Sequence, residues 1–312
     1  MTDKFEIKNV RTGLVIFECE LDADMAKECH GSKLGFAVKL AVKQGVNLAG
    51  ADLAGAILAD AKLEGAKLEG ANLAGAKLEG ANLEGANLKG ANLAYAYLTD
   101  ANLADANLEG ASLVGSSLAY ANLAYANLAG AILKGAKLIN AYLVSANLED
   151  VNLAGANLSF VNLERAYLAG ADLSCVILRG VDLADAYLRG AILAGADLEG
   201  ANLERADLAG AKLEGASLEG ASLERANLRG AILAGASLVG SSLAYANLAG
   251  AILADANLKG ANLKGASLEG ASLVGASLAD ASLEGANLKG ANLAGVNLRY
   301  AKLERAIGLI GG

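Results

Sequence analysis

Residues 71–90 read ANLAGAKLEGANLEGANLKG, which is four consecutive five-residue repeats of the form Ala-Xaa-Leu-Xaa-Gly. Leucine recurs at every fifth position without interruption from Leu48 to Leu303, and this makes 52 repeats over residues 46–305. A short constant period is typical of a solenoid, in which each repeat buries its apolar side only by stacking on its neighbours. The sequence therefore predicts a repeat architecture over about five-sixths of the chain.

A period of five fits neither a continuous α-helix nor a flat strand. An α-helix advances about 100° per residue, so leucines five residues apart would spread around its whole circumference. In a flat strand the same leucines would alternate between the two faces. The period fits a chain that turns a corner after every repeat.

The repeat at residues 51–55, Ala-Asp-Leu-Ala-Gly, shows how such a corner forms. Ala51 and Leu53 are two residues apart and would both face inward, while Asp52 faces outward. Leu53 to Ala56 fits a type II turn, whose third residue requires a positive φ and is here a glycine. Four sides would close a coil of 20 residues. At a strand spacing of about 4.8 Å, about 13 coils would form a rod about 60 Å long.

The first 45 residues differ from the repeats and predict a small α+β cap, which would cover the unpaired edge of the solenoid. Alternating residues at 5–10 and 14–21 predict a β-hairpin, and Asp22 or Asp24 could cap a short helix at about 23–29. Residues 32–44 predict a second helix with Leu34, Phe36, Ala37, Leu40 and Ala41 on or near one face. We therefore expect a cap at 1–45, a β-helix at 46–305 and a short tail at 306–312.

These repeats and this cap resemble the pentapeptide-repeat family, whose unit is A-[DN]-L-x-x, and the cap is similar to that of some bacterial and phage members. The resemblance implies an all-β solenoid, and specifically a right-handed quadrilateral β-helix. Some family members resemble duplex DNA in shape and charge, bind DNA gyrase and confer quinolone resistance. The resemblance therefore also implies gyrase or another topoisomerase as a possible partner.

Composition argues against several functional classes. The net charge is −8 and the single histidine is His30, so the sequence offers no basic stripe for direct nucleic-acid binding and no histidine metal site. Cys19, Cys29 and Cys175 lack the spacing of a disulfide framework. A filled solenoid without loops leaves no catalytic pocket. We expect no enzyme activity, no cofactor and no membrane span, and the charged N-terminus predicts a cytoplasmic protein.

Charge is concentrated on one face of the predicted coil. Stacking at 20-residue intervals places Asp185 between Arg165 and Arg205, and Glu164, Glu204 and Glu224 run beside them. We name Glu164, Asp185, Glu204 and Glu224 the acidic column. It is the candidate surface for a basic partner, and a merely solvated surface is the alternative.

Two other features of the predicted faces call for a structural test. Ile132, Ile192, Ile232 and Ile252 lie on one nearly neutral face, which suits a protein partner or self-association, and Tyr167 should stack on Tyr187. Non-glycine residues at the fifth repeat position fall mainly on two adjacent faces. We expect those two faces to carry glycine-free turns in the middle of the rod and the opposite two to carry regular type II turns.

The C-terminal end carries little to cover the last leucines. Only seven residues follow Arg305, too few for a useful helix. We expect the ends of two chains to meet in a twofold homodimer. The contact residues would be Val296, Tyr300, Ile307, Leu309 and Ile310.

Taken together, the sequence favours a non-enzymatic structural or protein-interaction rod whose protein partner it does not reveal. The alternative is a DNA-mimicking binder of DNA gyrase or another topoisomerase. Its overall charge of about −0.6 per predicted coil is far below that of duplex DNA.

Overall fold

The computed structural model describes residues 3–308 and divides the chain into two compact units, Met1–Asn152 and Leu153–Gly312. The first unit begins with a cap of two strands and a helix. Strand β1 spans Asp3–Lys8, strand β2 spans Val15–Leu21, and helix α1 spans His30–Lys43. A single 3-10 turn at Met25–Lys27 precedes α1. The remainder of this unit and the whole described part of the second consist of five-residue repeats.

The hairpin and the helix of the cap confirm the prediction from the sequence. β1 pairs with β2 in an antiparallel sheet, and the connecting turn is held by Asn9, whose side-chain oxygen accepts the N–H groups of Arg11 and Thr12. Asp22 precedes the 3-10 turn, and its carboxylate accepts the N–H groups of Asp24 at 3.1 Å and Met25 at 2.8 Å, whereas the N-cap residue Asp24 makes no capping bond through its side chain. These Asx-type contacts satisfy backbone donors at chain reversals, which is why Asn and Asp occur there.

The cap closes part of the exposed edge of the first coil. The N–H of Asp52 donates to the carbonyl of Lys8 at 2.8 Å, and the N–H of Ile57 donates to the carbonyl of Gly31 at 3.0 Å. Helix α1 buries Leu34, Gly35, Ala37, Val38 and Ala41. Phe36 and Leu40, which the sequence also placed on this face, are only half-buried.

In the first unit, successive coils pair at a spacing of 20 residues. The parallel bridges run from Asp52 with Asn72 to Ile132 with Asn152. The Leu73 N–H donates to the carbonyl of Asn92 at 2.7 Å, and the same leucine carbonyl accepts the N–H of Ala76 at 3.0 Å, which closes the turn. Each repeat therefore contributes both a ladder bond and a corner.

The second unit repeats this arrangement independently. Its bridges run from Asn157 with Ile177 to Asn287 with Ile307, again 20 residues apart. The leucine and alanine side chains point inward and are buried up to Leu288, as predicted. Each fully buried leucine stabilises the fold by about 1.5–3 kcal/mol relative to an exposed one.

Buried serines replace the inward alanine at one position in each unit. Ser116 donates its hydroxyl to the carbonyl of Leu113 at 2.7 Å, and Ser241 donates to that of Leu238 at 2.8 Å. Because the hydroxyl is satisfied by a carbonyl within the same turn, the buried polar group costs little.

The fifth residue of every repeat has the same sign of φ, whichever face it lies on. The prediction that the turns on two faces would differ from those on the opposite two is therefore wrong. All 52 residues at the fifth position have a positive φ, between 53° and 70°, although 20 of them are not glycine. The ladder bonds on both sides of the corner fix the backbone there, so the repeat imposes this conformation on Tyr, Phe, Arg and Asp alike. Several of these side chains extend over a glycine 20 residues later, as Tyr95 does over Gly115 and Phe160 over Gly180.

Asparagine at the second position of the repeat forms a ladder of its own. In the first unit, the Asn122 amide donates to the Asn102 side-chain oxygen at 3.1 Å, and the Asn102 amide donates to that of Asn82 at 3.1 Å. The Asn102 oxygen also accepts the N–H of Ala104. Asparagine thus supports both the stacking of coils and the following turn, which explains its frequency in the repeat.

Candidate interaction surfaces

The acidic column lies entirely in the second unit, where half of the predicted charge ladder forms. Arg205 binds Asp185 through two hydrogen bonds, from Nε at 2.7 Å and from Nη2 at 2.8 Å. The hydrogen bond from Arg205 lowers the pKa of Asp185. Arg165 pairs with Glu164 at 3.2 Å instead of with Asp185. Asp185 and Glu164 therefore each have a close arginine partner within the protein, and a third member, Glu204, has a longer contact with Arg205.

The other two members of the acidic column are held in place by serines of the next coil. Ser222 donates its hydroxyl to Glu204 at 3.3 Å, and Ser242 donates to Glu224 at 3.0 Å. Arg205 lies 3.8 Å from Glu204, a longer ionic contact. Because exposed ion pairs contribute at most about 1 kcal/mol, the arrangement orients the carboxylates more than it stabilises the fold.

Aromatic and aliphatic side chains occupy other faces of the second unit. Tyr167 stacks on Tyr187 with ring centroids 5.0 Å apart and an interplanar angle of 6°, which confirms that prediction. Ile232 pairs with Ile252 on adjacent coils, and Ile252 is exposed. Aromatic pairs and β-branched pairs both stabilise adjacent strands, so these contacts have a structural role whether or not a partner binds.

The end of the second unit is more open than the rest within the described residues. Leu293, Leu298 and Leu303 are only partly buried, and Val296 is also partly buried. Among the predicted dimer contacts, Tyr300 is 70% exposed and Ile307 is 58% exposed.

Two predicted dimer contacts, Leu309 and Ile310, lie outside the described residues. Tyr300 receives a cation–π contact from Arg299, whose guanidinium carbon lies 4.7 Å from the ring centroid.

The cysteines differ in their environments. Cys19 is buried, and burial raises the pKa of its thiol. Cys29 is exposed immediately before α1, where a hydrogen bond with Ser32 at 3.3 Å lowers its pKa. Cys175 is exposed at a repeat corner. No pattern in the sequence distinguishes these three environments.

Over residues 3–308, the structure places no group of three or more histidine, cysteine or acidic side chains where they could hold a metal ion. None of the described helices has the length and apolar character needed to span a bilayer.

The sequence did not predict a groove that lies beside α1. It lies between the end of this helix and the first coil, and Lys39, Lys43 and Lys62 line its largest cavity, of about 530 Å³. Lysines that are distant in the sequence converge here because the cap folds back on the repeats. The only sequence signal is an excess of lysine around the junction, which periodicity cannot assign to one surface.

Comparison with known proteins places the chain among pentapeptide-repeat proteins. The family model described as "Pentapeptide repeats (8 copies)" matches eleven stretches, most of which overlap: residues 47–85, 66–103, 81–118, 96–135, 111–150, 146–184, 182–220, 221–260, 241–278, 251–290 and 271–307. A search of curated proteins found no match. The chain belongs to the pentapeptide-repeat family, whose members are generally structural or interaction proteins.

Among solved structures, the chain is similar to HetL from the cyanobacterium Nostoc sp. strain PCC 7120, a pentapeptide repeat protein involved in heterocyst differentiation regulation. The two share 38% sequence identity over 68% of this chain and 90% of HetL, with a TM-score of 0.31. Rfr23 from the cyanobacterium Cyanothece 51142 shares 38% identity over 32% of this chain and 63% of its own, with a TM-score of 0.20.

A third solved structure is QnrB1, a plasmid-mediated fluoroquinolone resistance protein. It shares 19% identity over 56% of this chain and 88% of its own, with a TM-score of 0.25.

Proposed function

We propose that this protein is a non-enzymatic interaction solenoid that binds another protein through its sheet faces. The observation that carries the proposal is the regular pairing at 20-residue intervals within each unit, which sets outward side chains at fixed spacings. Such repeated surfaces suit extended protein contacts. For the finer geometry we propose a right-handed quadrilateral coil and about 13 coils, because each repeat makes one corner and 52 repeats at four per coil give that number.

A second candidate function is the DNA-mimicking binding of gyrase or another topoisomerase. It is favoured by the acidic column, in which serines of the next coil orient Glu204 and Glu224. The internal pairing of Asp185 with Arg205 reduces the negative charge available to a partner. We therefore rank this candidate below a general protein-interaction role.

Site-directed photo-crosslinking tests which face is used. A photoreactive residue placed at position 204 reports on the acidic column. One placed at 252 reports on the face that carries Ile232 and Ile252. We expect crosslinks to one protein from one of these positions. Binding through the acidic column should weaken strongly between low and high salt because exposed charges are screened, whereas binding through Ile252 should change little.

A supercoiling assay with purified DNA gyrase tests the second candidate function. Salt-sensitive inhibition of supercoiling that is lost in a Glu204→Lys, Glu224→Lys variant would support the second candidate. The matched control is Glu109→Lys, Glu149→Lys, which makes the same charge change in the first unit. Inhibition that survives in the acidic-column variant would contradict the second candidate. Absence of crosslinks to any protein from either position would contradict the interaction role of these faces.

We also propose that two chains form a homodimer through their C-terminal ends. The support is the partial burial of Leu293, Leu298 and Leu303, where all preceding repeat leucines are fully buried. A second copy would cover these side chains and pair the last backbone edge.

The dimer is tested with Ile307→Glu, since Ile307 is exposed at this end. At micromolar concentration, light scattering should give the mass of two chains for the wild type and of one chain for this variant, because a buried unpaired carboxylate is costly. The matched control is Ile177→Glu, which changes the same residue type at an exposed position outside the proposed contact surfaces. A wild-type mass of one chain would rule out the dimer.

A further inference from the structure

The groove beside α1 continues along the flank of the helix. Three adjoining cavities share lining residues: the central one shares Lys39 with the first and Val42 and Glu64 with the third. From Phe36 to Lys43 the helix side extends about 11 Å at about 1.5 Å per residue. An extended chain of about three or four residues has that length at about 3.3 Å per residue.

The floor of the groove is a sheet edge that the cap leaves open. In the first coil, the N–H groups of Asp52 and Ile57 are taken by the cap. Lys62 is bridged to Asn82 by the Leu63 N–H and the Ala61 carbonyl, so its own N–H and carbonyl point away from that coil. Neither group has a backbone partner among the described residues of this unit. An incoming strand could therefore form two main-chain hydrogen bonds there.

The side chains that line the groove carry more positive than negative charge. Lys39, Lys43, Lys62 and Lys67 line the central and third cavities, and none of the four forms an ion pair within residues 3–308. Two carboxylates also line the central cavity, but neither forms an ion pair with these lysines. That of Glu64 accepts a hydrogen bond from Asn82 at 2.8 Å, and that of Asp60 extends over Gly80 of the next coil. In a chain with net charge −8, four lysines against two carboxylates on one groove indicate an acidic ligand.

The first cavity of the groove is apolar. Met25, Phe36 and Ile57 line it together with Ser32 and Lys39, and its volume is about 250 Å³. This volume accommodates one aliphatic side chain. The groove thus offers an apolar pocket at one end, then lysines, and the open N–H and carbonyl of Lys62 on its floor.

We propose that this groove binds an extended acidic peptide segment of a partner protein by strand addition. The peptide backbone pairs with the open edge at Lys62, its acidic side chains face the four lysines, and one aliphatic side chain enters the pocket at Met25, Phe36 and Ile57. In strand addition, main-chain hydrogen bonds supply affinity and side-chain pockets supply specificity. The inference rests on the proposed function, because it also treats the protein as a binder of other proteins, but it concerns a separate surface.

A displayed library of random twelve-residue peptides, selected against the full chain, tests the proposal. We expect enrichment of peptides that combine several Asp or Glu residues with one large aliphatic residue. Their affinity for a Lys39→Glu, Lys43→Glu variant should fall about tenfold or more, since like charges then face each other. The matched control is Lys134→Glu, Lys137→Glu, which changes two exposed lysines elsewhere in the first unit and should bind as the wild type does.

Backbone methylation separates strand addition from simple charge attraction. N-methylation of the enriched peptide, scanned one residue at a time, should abolish binding at the position that donates to the Lys62 carbonyl and have little effect at outward-facing amides. Failure to enrich any acidic peptide, equal loss in the control variant, or insensitivity to methylation at every position would overturn the proposal. Tighter binding of a single-stranded oligonucleotide than of the peptides would also overturn it, because the groove would then be a general polyanion site.

The outcome is distinguishable from failure of the proposed function. Crosslinking from positions 204 and 252 uses faces of the second unit, whereas the peptide selection depends on the first unit. Loss of peptide binding with retained crosslinks would refute the groove alone, and the reverse result would refute the proposed faces alone.

Discussion

Replacement of Leu248 by alanine is expected to lower the free energy of unfolding of the second unit by about 3 kcal/mol, because it leaves a cavity in a closely packed interior. Leu248 has no solvent exposure. Ile252→Ala is the matched control, since it removes the same number of carbon atoms from a side chain that is 42% exposed. We expect the control to cost about 1 kcal/mol, because nearly half of that surface is already in water and no enclosed cavity is left.

Urea unfolding followed by circular dichroism measures both losses, and hydrogen exchange shows where the effect is felt. In a solenoid each coil contacts only its neighbours, so amides near Leu248 should lose the most protection. Equal losses for the two variants would contradict the assignment of the leucines to the interior and of position two to the surface.

The second large effect is expected at Gly35, inside α1. Gly→Ala in a helix normally stabilises it by about 1 kcal/mol. A Cβ at position 35 would overlap the carbonyl oxygen of Ile57, which belongs to the backbone and cannot move aside easily. We therefore expect Gly35→Ala to reverse the usual sign and to destabilise the first unit by about 2 kcal/mol, with increased aggregation once the coil edge is uncovered.

Gly31 and Lys33 provide a graded comparison in the same helix. A Cβ at Gly31 would lie 2.7 Å from the Gly55 carbonyl oxygen, so Gly31→Ala should cost less than Gly35→Ala. Lys33→Ala adds no atom toward the coil and should be nearly neutral. Thermal unfolding and light scattering give the order. A Gly35→Ala variant as stable as the wild type would show that α1 does not dock closely on the first coil.

The position of each side chain within a repeat could be predicted from the sequence, because every five-residue repeat has the same surroundings. The burial of Leu53 and Ala51, the positive φ at Gly55 and the hairpin with its helix were all predicted correctly. Stacking at 20-residue intervals also gave the Tyr167–Tyr187 pair.

Side-chain choices at the surface were harder to predict. Twenty-residue spacing places both Arg165 and Arg205 beside Asp185, yet Arg205 alone bonds to it, and Arg165 pairs with Glu164. Each arginine follows a glutamate in the chain, so the sequence offers the same two partners to both and does not show which one each will take. The asparagine ladder was missed for a related reason. Position two was known to face outward, but spacing alone does not show whether outward amides bind water or one another.

The sequence by itself determined the repeat, its inward leucines and the presence of a different segment before residue 46, since these depend on local periodicity repeated many times. Only the tertiary structure decided that fifth-position residues of every type share one backbone conformation, since ladder bonds on both sides fix each corner. It alone also decided that Lys39, Lys43, Lys62 and Lys67 meet at an open strand edge. That surface depends on how the cap docks, and docking is set by close packing between Gly35 and Ile57 that no periodic pattern encodes.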